Sequence, residues 1–208
     1  MKDTKFLIIG HPRCGTGYMS KLFKLNGFDV GHEEMGTNGV SDWQYAIEND
    51  KCFSWTKGCR NDYTFDVIIH NVRDPFTALN SIIFTENYNF SKKPLSKLSE
   101  DFRRKHIGFI ENNEYDDAAS SFLGWNKIIE DQNIKNVARV ENAFEDLKDL
   151  KYLKEDLNNK KVNSRKHRTL SKEEWGKISP ENLDKLEEFC NKYGYDSIKE
   201  RISNIETK

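Results

Sequence analysis

The sequence predicts an α/β fold in which helices flank a central, mainly parallel sheet. Residues 6–10 form a short unbroken apolar run, residues 67–72 are β-branched and mostly apolar, and the periodic pattern of an amphipathic helix comes after each. An unbroken apolar run of this length is typical of a strand that is buried on both faces of a parallel sheet. Strand and helix patterns alternate without repeats or a Pro/Gly-rich linker, which favours one domain over residues 1–208.

The first unit consists of the strand pattern at residues 6–10, a glycine-containing turn and a helix. Met19, Leu22 and Phe23 lie at the i, i+3, i+4 spacing that forms the apolar stripe of a helix. Gly27 then supplies a residue that readily adopts the left-handed conformation found at many helix ends. Strand, turn and helix therefore follow one another within the first 27 residues.

The second unit begins with a β-branched strand pattern at residues 67–72. Asp74 and Pro75 suit the N-cap and first-turn positions of the helix that follows. The predicted buried face of this helix carries three apolar residues: Phe76, Leu79 and Ile83.

A third, weaker unit combines a helix pattern that ends near Ile129 with a short strand at residues 137–140. Residues 144–157 predict an acidic helix, and the polar, basic residues 158–169 predict a loop.

Two helix starts are marked near the end of the sequence. Ser171 and Glu174 have the spacing of a capping box. Ser179 and Pro180 predict the start of a last helix, which Gly194 would end.

The balance of charges limits the classes of partner. Lys and Arg number 33 against 34 Asp and Glu, which gives a formal net charge of −1. No overall basic field is present to bind a nucleic acid, so we expect anion recognition to come from local clusters and expect no nucleic-acid partner.

Hydropathy and cysteine spacing indicate a cytoplasmic protein. The sequence has no apolar run of about 18 residues, so we expect no membrane span. The apolar run near the N-terminus is too short for the core of a signal peptide. Cys14, Cys52, Cys59 and Cys190 lack the spacing of zinc ligands. We expect free buried thiols, although Cys52 and Cys59 are close enough in sequence to form a disulfide.

The turn at Gly10–Tyr18 has the composition of an anion-binding loop. It lies where a strand ends and a helix begins, so backbone amides without helical acceptors meet the positive end of the helix dipole. Gly15 and Gly17 allow the backbone to come close to an anion, Thr16 adds a hydroxyl donor, and Arg13 adds a permanent positive charge. The alternative is a tight strand-to-helix turn with no ligand.

The same loop departs from the pattern that binds nucleoside triphosphates. That pattern reads GxxxxGK[ST], in which the lysine reaches the β- and γ-phosphates and the hydroxyl binds Mg²⁺. Here Gly15 is followed by Thr16 and then Gly17, so both the lysine and the metal-binding hydroxyl are out of place. ATP hydrolysis is disfavoured, and no metal site is predicted.

A resemblance rests on two stretches of the sequence. Pro12–Met19 resembles the 5′-phosphosulfate-binding loop of sulfotransferases that use 3′-phosphoadenosine-5′-phosphosulfate (PAPS), and is closest to the bacterial-type and tyrosyl-protein enzymes. Residues 72–75 with Ser81 resemble the family's 3′-phosphate site, in which an arginine, here Arg73, and a serine hold the nucleotide. The resemblance implies a three-layer P-loop-type fold with a central, mainly parallel sheet.

The resemblance also implies which residues contact the donor and its product, 3′,5′-adenosine bisphosphate. The basic run at residues 160–168 resembles the family's loop that covers the donor, although such a run is usually a solvated surface. The implied donor-binding residues are Arg13, Cys14, Gly15, Thr16, Gly17, Tyr18, Arg73, Ser81, Asn163, Arg165 and Arg168.

Catalysis of sulfuryl transfer needs charge neutralisation and a base. We expect Arg13 to stabilise the bridging oxygen of the donor. Residues 29–35 predict a second strand that ends in His32, Glu33 and Glu34. Glu34 corresponds to the base of the tyrosyl-protein enzymes, and His32 with Glu33 to a pair in the bacterial-type enzymes, so the identity of the base stays open among the three.

These features together predict an enzyme that moves a sulfuryl group from PAPS to a hydroxyl or amine. The acceptor is expected to be a small molecule, a lipid or a glycan, and the sequence indicates neither its identity nor an oligomeric state. The alternatives are a nucleotide kinase or NTPase with a divergent loop, and a nucleotide-binding protein without turnover.

Overall fold

Five parallel strands form one sheet in the computed structural model, which describes residues 5–48, 58–86, 92–108, 113–157 and 168–206. The order across the sheet is β2-β3-β1-β4-β5, and every neighbouring pair is parallel. The strands are β1 (Phe6–Ile9), β2 (Gly31–His32), β3 (Gly39–Ser41), β4 (Val67–Val72) and β5 (Asn136–Arg139). The predicted α/β class and parallel sheet are confirmed.

Helices occupy most of the connections between and after these strands. None of the helices in the described ranges is both long and apolar enough to cross a membrane. The α-helices are α1 (Thr16–Leu25), α2 (Pro75–Ser81), α3 (Pro94–Ile107), α4 (Glu114–Glu130), α5 (Ala143–Asp146), α6 (Lys172–Trp175), α7 (Pro180–Tyr193) and α8 (Ile198–Ser203). Shorter 3₁₀ turns lie at Gln44–Ala46, Arg60–Asp62 and Lys148–Leu150, and a π-helical turn lies at Ile82–Glu86.

The chain divides into two compact units. The first contains Met1–Arg73 and Ile128–Ser164 and holds the whole described sheet, whereas the second contains Asp74–Lys127 and Arg165–Lys208. The expectation of one domain over residues 1–208 stays a prediction.

The core of the first unit lies where α1 packs on the sheet. All four residues of β1 are fully buried, as expected for a central strand. Met19, Leu22 and Phe23 of α1 pack in the same cluster, so the stripe predicted from their spacing is confirmed. The buried members are Phe6, Ile8, Met19, Leu22, Phe23, Val30, Ile69, Ala138, Ala143, Leu147, Leu153 and Leu157.

Glycines set both ends of α1. Its first backbone bond runs from the Met19 amide to the Gly15 carbonyl at 3.0 Å. After the last turn, Gly27 has a φ of 84°, and its amide donates to the Lys24 carbonyl at 3.0 Å. The predicted C-terminal glycine is confirmed.

The strand expected at residues 29–35 is largely wrong. Only Gly31–His32 is extended, and β3 follows seven residues after it, where no strand was expected. Side chains fold the intervening segment back on itself: the Asp29 carboxylate accepts from the Thr37 amide at 2.9 Å, and the Asn38 side chain accepts from the Asp29 amide at 3.0 Å. Those bonds replace strand pairing in the segment between β2 and β3.

The helix expected over residues 144–157 is also wrong beyond its first turn. The chain is helical at α5 and in the 3₁₀ turn, and Lys151 then has a φ of 58°. The Asn26 side chain accepts from the Lys154 and Glu155 amides at 2.5 and 2.9 Å and donates to the Glu155 carbonyl at 2.8 Å. These bonds satisfy backbone groups that a helix would have paired internally.

The second unit is helical in its described residues. The Asp74 carboxylate caps α2 by accepting from the Phe76 amide at 3.0 Å, with Pro75 in the first turn, as predicted. The capping box of Ser171 and Glu174 at α6 is confirmed as well.

Two helices of the second unit depart from the sequence expectation. Gly194 ends α7 with a φ of 70°, as expected, but α8 follows, so α7 is not the last helix. The sequence also gave no indication of α3, whose apolar residues are few; Leu95 and Leu98 of this helix are exposed.

The cysteines follow the expectation in part. Cys14 and Cys190 are free and buried. Cys59 is disulfide-bonded, which corrects the expectation of a free thiol there. Cys52 lies outside the described residues.

Candidate functional site

The loop between β1 and α1 forms the centre of the candidate site. It leaves the carboxyl end of the central strand, the edge at which parallel sheets gather their ligand-binding residues. Because the first bond within α1 is donated by Met19, the amides of Gly15–Tyr18 have no acceptor inside the helix. The helix dipole adds positive charge at the same amides. The loop therefore presents backbone donors that α1 itself does not use.

The end of β4 holds this loop from one side. The Asn71 side-chain amide donates to the Cys14 carbonyl at 2.5 Å, and the Arg73 guanidinium donates to the Arg13 carbonyl at 2.9 Å. A Cβ at Gly10 would lie 2.3 Å from the Asn71 carbonyl oxygen, so the backbones meet directly there. The structure thus joins the loop to Arg73, the first residue of the predicted second half-site.

Asn71 is a site residue that the sequence does not predict. It is fully buried within the apolar strand pattern of residues 67–72. The available signal was a polar residue near the end of a mostly apolar strand. A buried side-chain amide needs a hydrogen-bond partner, and the strands of the described sheet do not provide one.

Gly15 is required by conformation and by packing. Its φ of 86° lies in the left-handed region, which costs other residues roughly 1–2 kcal/mol. A Cβ at this position would also lie 2.3 Å from Cγ2 of Val140. Glycine at this position therefore allows the left-handed turn and also the close approach of Val140, the residue that follows β5.

Buried side chains fill the inside of the loop. His11 is fully buried; its carbonyl accepts from the Cys14 amide at 2.8 Å and its Nδ1 accepts from the Arg13 amide at 3.4 Å. Burial raises the pKa of the Cys14 thiol to about 12, although the charges of Arg73 and Arg13 oppose the rise. Cys14 is consequently a packed thiol and not a nucleophile.

Two arginines supply positive charge around the loop. The charges of both Arg13 and Arg73 act on the Cys14 thiol, which places them close to the turn. Nε of Arg73 lies 3.9 Å from an Oε1 oxygen of Glu141, and its side chain is 27% exposed. This contact is long and partly solvated, so the ion pair contributes little to stability.

His32 lies against the loop, as its candidate role requires. Its Nε2 is 3.1 Å from the hydroxyl of Thr16, the first residue of α1. Desolvation lowers the pKa of the imidazole, helped by the charges of Arg13 and Lys24 and opposed by Glu33. The ring is therefore neutral at neutral pH and can accept a proton or a hydrogen bond.

The two glutamates that follow His32 sit in the turn after β2. Glu33 has a φ of 58°, and its amide donates to the Ser41 carbonyl at 3.2 Å. Glu34 is exposed. Their roles as base remain predictions.

A second group of polar residues lies on the other side of β1, directly after β3. The Asp42 amide donates to the Ile8 carbonyl at 2.9 Å, which fixes this residue beside the end of the central strand. Its Oδ1 accepts from the Gln44 amide at 2.9 Å, whereas its Oδ2 is buried without a hydrogen-bond partner among the described residues. Burial, with a further contribution from Glu33, raises the pKa of Asp42 to about 7.

Asp42 is the second site residue that the sequence does not predict. The available signal was the polar pair Ser41–Asp42 directly after an apolar valine. That pair indicates the end of a strand only if β3 has been recognised as a strand. A three-residue strand gives too short an alternation to be read as one.

Tyr18 packs on the core of the first unit. Its hydroxyl donates to Asp156 at 3.4 Å, and burial with the nearby Asp156 charge raises its pKa to about 12. Donor binding stays a prediction for this residue.

The remaining predicted residues are Ser81, Asn163, Arg165 and Arg168. Ser81 is the last residue of α2 in the second unit, is 1% exposed and has its hydroxyl 3.4 Å from that of Thr85. Arg168 belongs to the same unit. Asn163 and Arg165 lie outside the described residues.

Arg168 already has an acidic partner. Its two terminal nitrogens each donate to a carboxylate oxygen of Glu174 at 2.5 Å, and its guanidinium lies over the Phe84 ring at 4.4 Å. These bonds lower the pKa of Glu174 to about 2. A phosphate would have to compete with that pair, and the proposed donor contact of Arg168 stays a prediction.

Over the residues that the structure describes, no group of three or more His, Cys, Asp or Glu side chains is placed to hold a metal ion.

The geometry of the loop and its two flanks supports two chemical tasks. The helix N-terminus with Arg13 and Arg73 suits an oxygen-rich anion. The neutral His32 ring can accept a hydrogen bond, and Asp42, with a pKa of about 7, can exchange a proton near neutral pH.

Comparison with protein-family models, with curated proteins and with solved structures gives no match to this chain.

Proposed function

We propose that this protein is a sulfotransferase that moves a sulfuryl group from PAPS to a hydroxyl or amine, on a three-layer P-loop-type fold. The observation that carries the proposal is the bond from the Arg73 guanidinium to the Arg13 carbonyl at 2.9 Å. It joins the two stretches of sequence that resemble the donor-binding half-sites of sulfotransferases.

The residues present fit the anionic groups of such a donor. The amides of Gly15–Tyr18, which have no acceptor inside α1, and the Arg13 side chain would hold the 5′-phosphosulfate, and Arg73 would hold the 3′-phosphate. Ser81, Asn163, Arg165 and Arg168 are further proposed contacts to the 3′-phosphate. The packing of the loop also requires glycine at two positions, because Gly10 and Gly15 have no room for a Cβ.

The chain's contribution to catalysis would be positioning and neutralisation of charge. In-line sulfuryl transfer places growing negative charge on the oxygen that leaves with the 5′-phosphate. In this proposal Arg13 and the loop amides supply the preorganised donors for that charge. Thr16 and His32, 3.1 Å apart, link the helix start to the end of β2 and hold that arrangement.

Ligand-induced thermal stabilisation tests the donor. A ligand at 100 times its Kd stabilises the folded state by about 2.7 kcal/mol, which raises Tm by roughly 5–10 °C for a chain of this size. We expect this rise with 3′,5′-adenosine bisphosphate in the presence of EDTA. Stabilisation by Mg-ATP alone would contradict the proposal and favour a nucleotide kinase or NTPase.

Transfer of radiolabelled sulfate from PAPS tests turnover. The acceptors would be methyl glucoside, phenol, octanol and glucosamine, with water as the acceptor in their absence. We expect labelled product from at least one of these. Bisphosphate binding without any transfer, to water included, would instead favour a nucleotide-binding protein without turnover.

A further inference from the structure

We propose that Asp42 is the general base that removes the proton from the acceptor's hydroxyl group. The proposal rests on the proposed function and replaces the three candidates expected from the sequence. It also assigns the acceptor to the β3 side of the central strand.

The first support is position. Ser41 is in register with Ile8, and the Asp42 amide donates to the Ile8 carbonyl at 2.9 Å. Asp42 is thereby fixed beside the end of β1, where the chain continues into the loop at Gly10. β3 lies between β1 and β2 in the sheet, so the residue that follows β3 lies between the ends of the strands that lead to the loop and to Glu33.

The second support is an unused oxygen atom. Asp42 is 0% exposed, and its Oδ2 has no hydrogen bond within the described part of the chain. No ion pair involving Asp42 occurs among those residues either. Burying a carboxylate oxygen without a donor is costly, so this oxygen calls for a partner such as a ligand, a water molecule or a reacting proton.

The third support is that its neighbours in sequence share this property. Oγ of Ser41 and both polar atoms of the Gln44 amide are also buried without a hydrogen-bond partner in the described structure. Three of four consecutive residues therefore offer unused donors and acceptors beside one another. An acceptor that carries hydroxyl groups can satisfy them, whereas an apolar acceptor cannot.

The protonation behaviour of Asp42 fits the role. Burial is the main cause that raises its pKa to about 7, and Glu33, from the turn after β2, raises it further. Tyr45, from the following 3₁₀ turn, faces the same carboxylate, which contributes to raising the pKa of that phenol. A base with a pKa near the working pH combines a deprotonated fraction with useful proton affinity.

His32 has a different task in this assignment. Its Nε2 already contacts the Thr16 hydroxyl at 3.1 Å, so we assign it as a positioning residue for the start of α1.

Sulfuryl transfer to a hydroxyl acceptor exchanges one bond to sulfur for another. The acceptor oxygen forms a bond to sulfur while the bond from sulfur to the 5′-phosphate oxygen breaks. The electron pair of that bond leaves with 3′,5′-adenosine bisphosphate, and the hydroxyl proton moves to Oδ2 of Asp42, which later releases it to solvent.

The test uses the full-length protein and the variants Asp42→Asn and, as a matched control, Asp149→Asn, whose side chain is exposed. Asparagine keeps the oxygen that accepts from the Gln44 amide and loses only the basic site. We measure bisphosphate affinity by calorimetry and the rate of sulfuryl transfer from PAPS to water as a function of pH. We expect D42N to bind the bisphosphate as the wild type does, and to lose about 10²- to 10⁴-fold in rate.

The pH profile separates a base from a structural residue. The wild type and D149N should lose activity below pH 7, and D42N should lack this acidic limb. Carbon-13 NMR of the wild type should show the Asp42 carboxyl titrating at the midpoint of that limb, which tests the proposal even if D42N does not fold.

Each contrary result identifies what has failed. If D42N keeps its rate and its acidic limb, or if the carboxyl titrates far from the kinetic midpoint, Asp42 is not the base, while the sulfotransferase proposal stands. If the wild type neither binds the bisphosphate nor transfers sulfate, the proposed function fails and the role of Asp42 fails with it.

Discussion

The two flanks of the central strand use polar residues in opposite ways. On the β4 side, Asn71 and Arg73 are bonded to the loop carbonyls of Cys14 and Arg13. On the β3 side, Oγ of Ser41 and Oδ2 of Asp42 are buried with no described partner. The β4 flank therefore anchors the loop, although Oδ1 of Asn71 is also buried without a described partner, whereas among the described residues no such bond to the loop involves these atoms of the β3 flank. Substitutions that alter one flank at a time can separate these roles.

The largest expected effect concerns the β3 flank and the dependence of stability on pH. The pKa of Asp42 is raised in the folded state from 3.8 to about 7, so the folded state holds a proton that the unfolded state has lost. Stability should therefore fall as pH rises from about 4 to about 7 and then level off, by up to about 4 kcal/mol at 1.36 kcal/mol per pH unit.

Urea denaturation of the wild type and D42N at pH 4, 6 and 8 measures this effect. We expect the two proteins to be similar near pH 4, and D42N to become the more stable of the two as pH rises. A difference that stays constant over this range would show that Asp42 is not a buried, titrating carboxylate.

Gly15→Ala tests the loop itself. The left-handed φ of 86° and the contact with Val140 should together cost about 2–4 kcal/mol of stability and abolish bisphosphate binding. In the double variant with Val140→Ala, we expect recovery of the stability that was lost through the contact with Val140. The stability that was lost through the left-handed φ should not recover. Full recovery of stability in the double variant would mean that the conformation of Gly15 carries no cost. Chemical denaturation and calorimetry measure the two effects.

Arg73→Ala tests the charge on the β4 flank. A charge-assisted contact to phosphate contributes about 1.5–3 kcal/mol, so affinity for 3′,5′-adenosine bisphosphate should fall by roughly 10- to 150-fold. Lys148→Ala, which removes an exposed cation of the same unit, should leave the affinity unchanged. Equal affinities for the wild type and R73A would remove Arg73 from the site.

The smallest expected effect is that of Asn71→Ala. Loss of its bond to the Cys14 carbonyl should cost about 1–2 kcal/mol of stability and also weaken bisphosphate binding, since the loop loses an anchor. Asn136→Ala removes a similar bond, to the Ile68 carbonyl at 3.0 Å, away from the loop. It should destabilise the protein comparably without affecting the ligand. If both variants change binding equally, the anchoring role of Asn71 is wrong.

The sequence predicted the elements whose signals are local. β1, α1 and β4 follow from apolar runs, a helical stripe and glycine positions, all within short windows. The candidate loop and Arg73 could be found for the same reason, because each lies next to one of these elements.

The missed elements depend on contacts that are distant in sequence. β3 has three residues and is defined by its pairing with β1. The sequence alone therefore could not place Asp42 at the carboxyl edge of the sheet. Likewise, residues 151–157 are held by Asn26, more than 120 positions earlier, against their own helical pattern. Neither partner can be identified from one sequence without the fold.

The most direct test of the anion-binding loop is a titration with 3′,5′-adenosine bisphosphate followed by amide NMR. Gly15, Thr16 and Gly17 have amides without acceptors inside α1, so their signals should show the largest saturable shifts, and R73A should reduce them. Shifts that centre on other residues, or amides of Gly15–Tyr18 that do not respond at saturation, would contradict the assignment of this loop as the donor site.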